Sequence, residues 1–138
     1  MTRLKRVLIL FILLFGCLSV NHAITWQDDV YNLFLKFKDL YNSGDFIGAE
    51  KSMLKVLNSN NKLPDGYSAG AYNNLGVIKM KLGLYTEALD YFDKAENNTS
   101  NEQKNLKDLG YIYNNKSRIY TFRKSYSTAI EFLEKSVR

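Results

Sequence analysis

Few residues in this 138-residue chain could do covalent chemistry, and their placement argues against it. The single histidine, His22, and the single cysteine, Cys17, both fall in the first 23 residues, which read as a leader removed on export. Neither a Ser/His/Asp nor a Cys/His arrangement can then be assembled in the mature chain. No histidine-rich metal spacing exists. Gly66, Gly70 and Gly76 lack the Lys-Ser/Thr tail and the strand-turn-helix context of a phosphate loop. Carboxylates pair at Asp28 and Asp29 and again at Asp90 and Asp93. Solvated helix charges account for them, because an acid/base pair of carboxylates works in a deep cleft. These residues predict no enzyme, no cofactor and no metal site.

Side chains suited to reversible recognition are more plentiful. Asn73, Asn74, Asn114 and Asn115 offer amides that donate and accept together, as a peptide backbone requires. Lys38 and Arg118 could hold an acidic group. Such side chains are useful only if helices array them on one face.

The leader comes first. Arg3, Lys5 and Arg6 precede an unbroken apolar run from Val7 to Phe15, the two parts of a secretory signal. The run is shorter than the about 20 apolar residues of a membrane span. Three fates stay open: cleavage after Ala23 or Ser19, lipidation of Cys17 in Leu14-Phe15-Gly16-Cys17, which resembles a lipobox, or retention of residues 1–23 as a membrane anchor. The Lys-, Asn- and Tyr-rich composition points to a bacterium, and the export signal to its periplasm or cell envelope.

The full chain carries a net charge of +5, which invites nucleic acid as a partner. Three of its 19 basic residues belong to the leader, however, and the remaining 16 face 14 acidic ones. These alternate along the chain as on solvated helix faces, so nucleic-acid binding is not expected.

The stretch Tyr72 to Ala95 carries the strongest pattern. Tyr72, Leu75, Gly76, Gly83, Tyr85, Ala88, Phe92 and Ala95 place large and small residues as two closely packed antiparallel helices with a glycine turn require. These eight positions resemble the tetratricopeptide repeat signature. Weaker copies flank it. Upstream, Leu33, Phe37, Leu40, Gly44, Phe46, Ala49, Met53 and Val56 match, with Phe37 replacing a small residue. Downstream, Tyr113, Ser117, Tyr120, Tyr126, Ala129, Leu133 and Ser136 match, with Lys124 replacing the turn glycine and Lys116 a leucine. The anchor alanines Ala49, Ala88 and Ala129 are 39 and 41 residues apart, against a family period of about 34. The surplus falls at 58–65 and 97–103. Capping boxes, Thr99 with Glu102 or Ser100 with Gln103, predict a long helix from there to about Phe122.

The resemblance implies an all-α fold, a right-handed α-solenoid of about three antiparallel helix pairs. A signal peptide over 1–23 would precede a helical domain over 24–138, with repeats at about 30–63, 69–102 and 110–138. The family's concave groove would draw on Phe34, Lys38 and Tyr41, on Asn73, Val77 and Lys81, and on Asn114 and Arg118. A protein or peptide partner is implied. The subfamily that grips a chaperone's C-terminal carboxylate is not matched, because Phe34, Tyr111 and Asn115 stand where cations belong and only Asn74 agrees. Ile130 and Leu133 on the final helix would lie against nothing, so a neighbouring repeat or self-association is expected there. The reading is an envelope scaffold holding a peptide or helix. Its alternatives are the extracytoplasmic sensory or dimerising part of a longer membrane regulator, and a lipoprotein assembly factor.

Overall fold

The computed structural model describes residues 28–59, 63, 66–99 and 106–137. The leader 1–23 with Cys17 and His22, most of the 60–65 link and the two capping boxes lie outside the described residues. The chain divides into two compact units, Met1–Asn32 and Leu33–Arg138. Of the first, the described part is 28–32, the opening of a helix.

The described residues form six helices and no strand. We label them α1 (28–42), α2 (Phe46–Leu57), α3 (Tyr67–Lys81), α4 (Tyr85–Asn97), α5 (Leu106–Phe122) and α6 (Tyr126–Ser136). They form three hairpins with near-identical turns. In each, an amide reaches back five residues: Asp45 to Leu40, Leu84 to Lys79 and Ser125 to Tyr120, all at 2.9 Å. The preceding amide reaches back three, from Gly44 to Tyr41, Gly83 to Met80 and Lys124 to Thr121. This Schellman closure needs one left-handed residue. Gly44 (φ +83°) and Gly83 (φ +75°) supply it, and in the third turn Lys124 is forced to φ +60°.

Packing follows from alternating large and small residues. Gly76 of α3 faces Phe92 of α4 so closely that a Cβ there would fall 2.5 Å from the ring. Phe92 is fully buried, as are Leu75, Ile78, Ala88 and Ala95. Met80, Ala88, Phe92 and Ala95 continue into Ile112 and Ile119 of α5, so one core joins the second and third hairpins. The α2 face of Ala49, Met53 and Val56 is buried, and α2 lies against α3. Sandwiched by neighbours, α3 buries Ala69, Gly76 and Met80 on one side and Ala71, Leu75 and Ile78 on the opposite side. That is the pattern of an interior helix rather than an amphipathic one. Phe37, which replaces the expected small residue of α1, stays half-buried and tilts against Tyr41 at 5.7 Å. At the far end α6 buries only Ala129 and exposes Ile130, Leu133 and Val137.

Candidate binding face

The first helices of the three hairpins form one layer. Phe34 of α1 meets Tyr67 of α3 edge-to-face at 5.7 Å. Asn115 of α5 donates through Nδ2 to Asn73 Oδ1 of α3 at 3.1 Å. The eight residues expected to line a groove all sit on these helices, but they divide into two kinds. Phe34 packs on Tyr67, and Tyr41 packs between Phe37 and Phe46, at 5.7 and 5.5 Å. Val77 packs on the core, and the Asn73 carbonyl is taken by Asn115. These four are partly or wholly engaged in holding the layer together. Lys38, Lys81, Asn114 and Arg118 are exposed. None of the four makes a side-chain hydrogen bond or ion pair among the described residues.

The asparagine that meets Asn73 is therefore Asn115 rather than Asn114. Asn114 instead lines a 300 Å³ hollow with Lys107, Gly110, Tyr111, Ser136 and Val137 at the open end of α5 and α6. Asn74 donates to Met53 Sδ at 3.4 Å, a link from α3 to α2 rather than a groove contact. Burial pushes the Tyr41 phenol above its ordinary pKa while the charge of Arg118 opposes it, so the two are within electrostatic reach across the layer.

The layer's charge is shaped by what the second helices neutralise. Among the described residues α3 carries no acid, and α5 carries only Asp108. Lys79 of α3 pairs with Glu50 of α2 at 3.0 Å and Glu87 of α4 at 3.3 Å. The hydrogen bond to Glu50 is the largest influence holding its pKa above the usual value. Lys116 of α5 is 3% exposed and pairs with Asp93 at 2.7 Å and with Glu96. With these two lysines held by the second helices, the cations of α1, α3 and α5 without an ion pair among the described residues are Lys36, Lys38, Lys81, Lys107 and Arg118.

The Lys116 cluster is the feature that sequence reasoning missed. Tyr113 donates to Glu96 Oε1 at 2.8 Å, and the Lys116 ammonium sits 5.5 Å from the Phe132 ring centre. Burial disfavours charge on Lys116, but Asp93 and Glu96 outweigh it and raise its pKa. Burial likewise pushes Glu96 up, and the Lys116 and Tyr113 hydrogen bonds overcome it and leave it lowered. Burial, with the Glu96 bond second, drives the Tyr113 phenol up to about 12. Asp93, expected to be a solvated helix charge, is exposed yet committed to Lys116. The available signal was a lysine where Leu75 stands in the preceding hairpin, with Asp93 and Glu96 one turn apart on the helix before it.

No group of three or more His, Cys, Asp or Glu side chains able to hold a metal occurs among the described residues. No described helix is long and apolar enough to cross a membrane. A family model described as tetratricopeptide repeat matches residues 67–138, which spans α3 to α6. No curated protein matches the chain.

Proposed function

The chain belongs to the tetratricopeptide repeat family, whose repeats mediate protein–protein interactions, and from that premise we propose an envelope scaffold that holds a peptide or helix along the layer of α1, α3 and α5. One observation carries the reading. Among the described residues Lys38, Lys81, Asn114 and Arg118 stand exposed on that layer without side-chain partners, while two other cations of α3 and α5, Lys79 and Lys116, are neutralised from behind. Unpaired polar groups above a packed aromatic floor favour an extended or helical segment with acidic side chains. Placement in a bacterial envelope rests on the basic-then-apolar leader of residues 3–15.

The test is affinity capture from envelope extract with the full chain, beside Asn114→Ala/Arg118→Ala. Both side chains are exposed, so the fold should survive the change. A protein retained by the parent and lost by the variant supports the layer as the binding face. A protein retained equally by both moves the interaction to another surface.

A further inference from the structure

The turns after α3 and α5 are joined into one edge. Tyr85 stacks on Phe122 with ring centres 5.7 Å apart and planes at 17°. Arg123 Nη2 donates to Thr86 Oγ1 at 2.9 Å. Residues 81–86 and 122–127, far apart in sequence, thus form a continuous rim. It exposes Leu82, Leu84, Phe122 and Tyr126, the two aromatics at 62% and 59%. The same twelve residues carry Lys81, Arg123 and Lys124 and no acid. The neighbouring acid Glu87 is engaged by Lys79.

Two further features sharpen the positive character. The helices that begin at this rim, α4 and α6, start at Leu84 and Ser125 without a side-chain cap; α6 has no acid in its first turn, and the one in α4, Glu87, is held by Lys79. By contrast, Asp45 caps α2 by accepting from the Gly48 amide at 2.8 Å. Lys124 also holds a left-handed backbone where the other two turns use glycine. A cation is kept at the tip of the turn against the preference of its own backbone, the kind of outlier from which a function can be inferred.

We propose that this rim is a contact surface for an anionic lipid bilayer. Leu82, Leu84, Phe122 and Tyr126 enter the boundary between headgroups and acyl chains. Lys81, Arg123 and Lys124 and the open amides of α4 and α6 meet lipid phosphates. A projecting row of apolar tips with cations and no acids matches a flat anionic sheet. Seated this way, the rim would set the orientation of the chain on a membrane, and Lys81 is the one side chain it shares with the binding face of the first helices.

Site-specific quenching tests it on the full chain with Cys17→Ser. A fluorophore is placed at Ser127→Cys on the rim or at Asn98→Cys beyond the other end of α4, a helix of 13 residues and so about 20 Å long. Vesicles of phosphatidylcholine, with or without phosphatidylglycerol, carry brominated acyl chains. The expected result is quenching at 127 and not at 98, only with phosphatidylglycerol, and its loss in Arg123→Glu/Lys124→Glu. Lys124→Gly, which suits the turn, should keep the fold by circular dichroism and lower the population seated on the rim about five-fold. Equal quenching at both positions, quenching on phosphatidylcholine alone, or quenching that survives charge reversal in a folded variant would overturn the proposal.

Discussion

Gly76 and Phe92 offer a sharp test of the packing argument. A Cβ at residue 76 would lie 2.5, 2.7 and 2.9 Å from Cε1, Cδ1 and Cζ of Phe92, a ring with no exposed surface. Carbon atoms sit comfortably at about 3.5–4 Å, so the ring must move by roughly 1 Å inside a close-packed core. Such overpacking costs about 1–3 kcal/mol. Alanine regains about 1 kcal/mol through helix propensity. Gly76→Ala should thus be destabilising by up to about 2 kcal/mol, the difference of these two opposing terms. Phe92→Ala should cost about 3–5 kcal/mol as a buried aromatic truncation. In the double variant the ring is gone and the new methyl enters the space it left. Adding Gly76→Ala to Phe92→Ala should then stabilise by about 1 kcal/mol, the propensity gain alone. The cycle predicts a coupling of about 1–3 kcal/mol, equal to the overpacking cost and within the range of contacting pairs. Urea denaturation followed by circular dichroism measures all four corners. If Gly76→Ala has the same effect with and without the Phe92 ring, the close approach of α3 and α4 is not what fixes glycine at this position.

The Lys116 cluster should respond asymmetrically. Lys116→Met removes the buried cation together with its demand for partners and should change stability by less than about 1 kcal/mol, whereas Glu96→Ala strands the ammonium with Asp93 alone and should cost about 2–3 kcal/mol, both read by urea denaturation. The cluster's part of the pH profile follows from its three shifted groups, and the raised Lys79 and Tyr41 add to the alkaline loss. The lowered Glu96 contributes stability above its unfolded pKa that is lost as pH falls through the folded value, on the acid side of 4.5. The raised Tyr113 contributes stability present below 10.0 that is lost as pH rises towards about 12, and the raised Lys116 adds to this alkaline loss above 10.5. Melting temperature should therefore be flat between these limits, and Tyr113→Phe should shrink the alkaline decline. The turns give the last contrast. Gly83→Ala meets no atom within 4 Å yet should cost about 1 kcal/mol for its φ of +75°, while Lys124→Gly should hold stability or raise it by up to about 1 kcal/mol. If Gly83→Ala is neutral in a chemical melt, backbone strain is not what places glycine there.

How far the sequence reaches can be judged from particular residues. The hairpin over 67–97 was legible because close helix packing demands a small residue opposite a large one and a left-handed residue at the turn. Gly76, Phe92 and Gly83 carry those demands in their own chemistry. The number of helices, the turns at Gly44 and Gly83, and the strained Lys124 follow from the same local rules. The exposed face of α6 was legible from Ile130 and Leu133, for which the sequence offers no following helix to pack on.

What the chain alone could not decide is which side chains spend their polarity on the fold. Phe34 and Tyr41 have the look of groove residues, but their rings pack against neighbouring aromatics. Asn73 and Asn115 bond each other across two helices, and the register that joins them is set by the packing of α3 on α5. Lys116 stands where the repeat has a leucine, and its partners come only from packing, as α4 delivers Asp93 and Glu96 and α6 delivers Phe132 to its sides. The cationic rim exists because Tyr85 and Phe122, 37 residues apart, stack and Arg123 donates to Thr86. Periodicity reports the face a residue occupies on its own helix. The identity of the atoms opposite that face comes from the packing between helices, and that is a property of the assembled core.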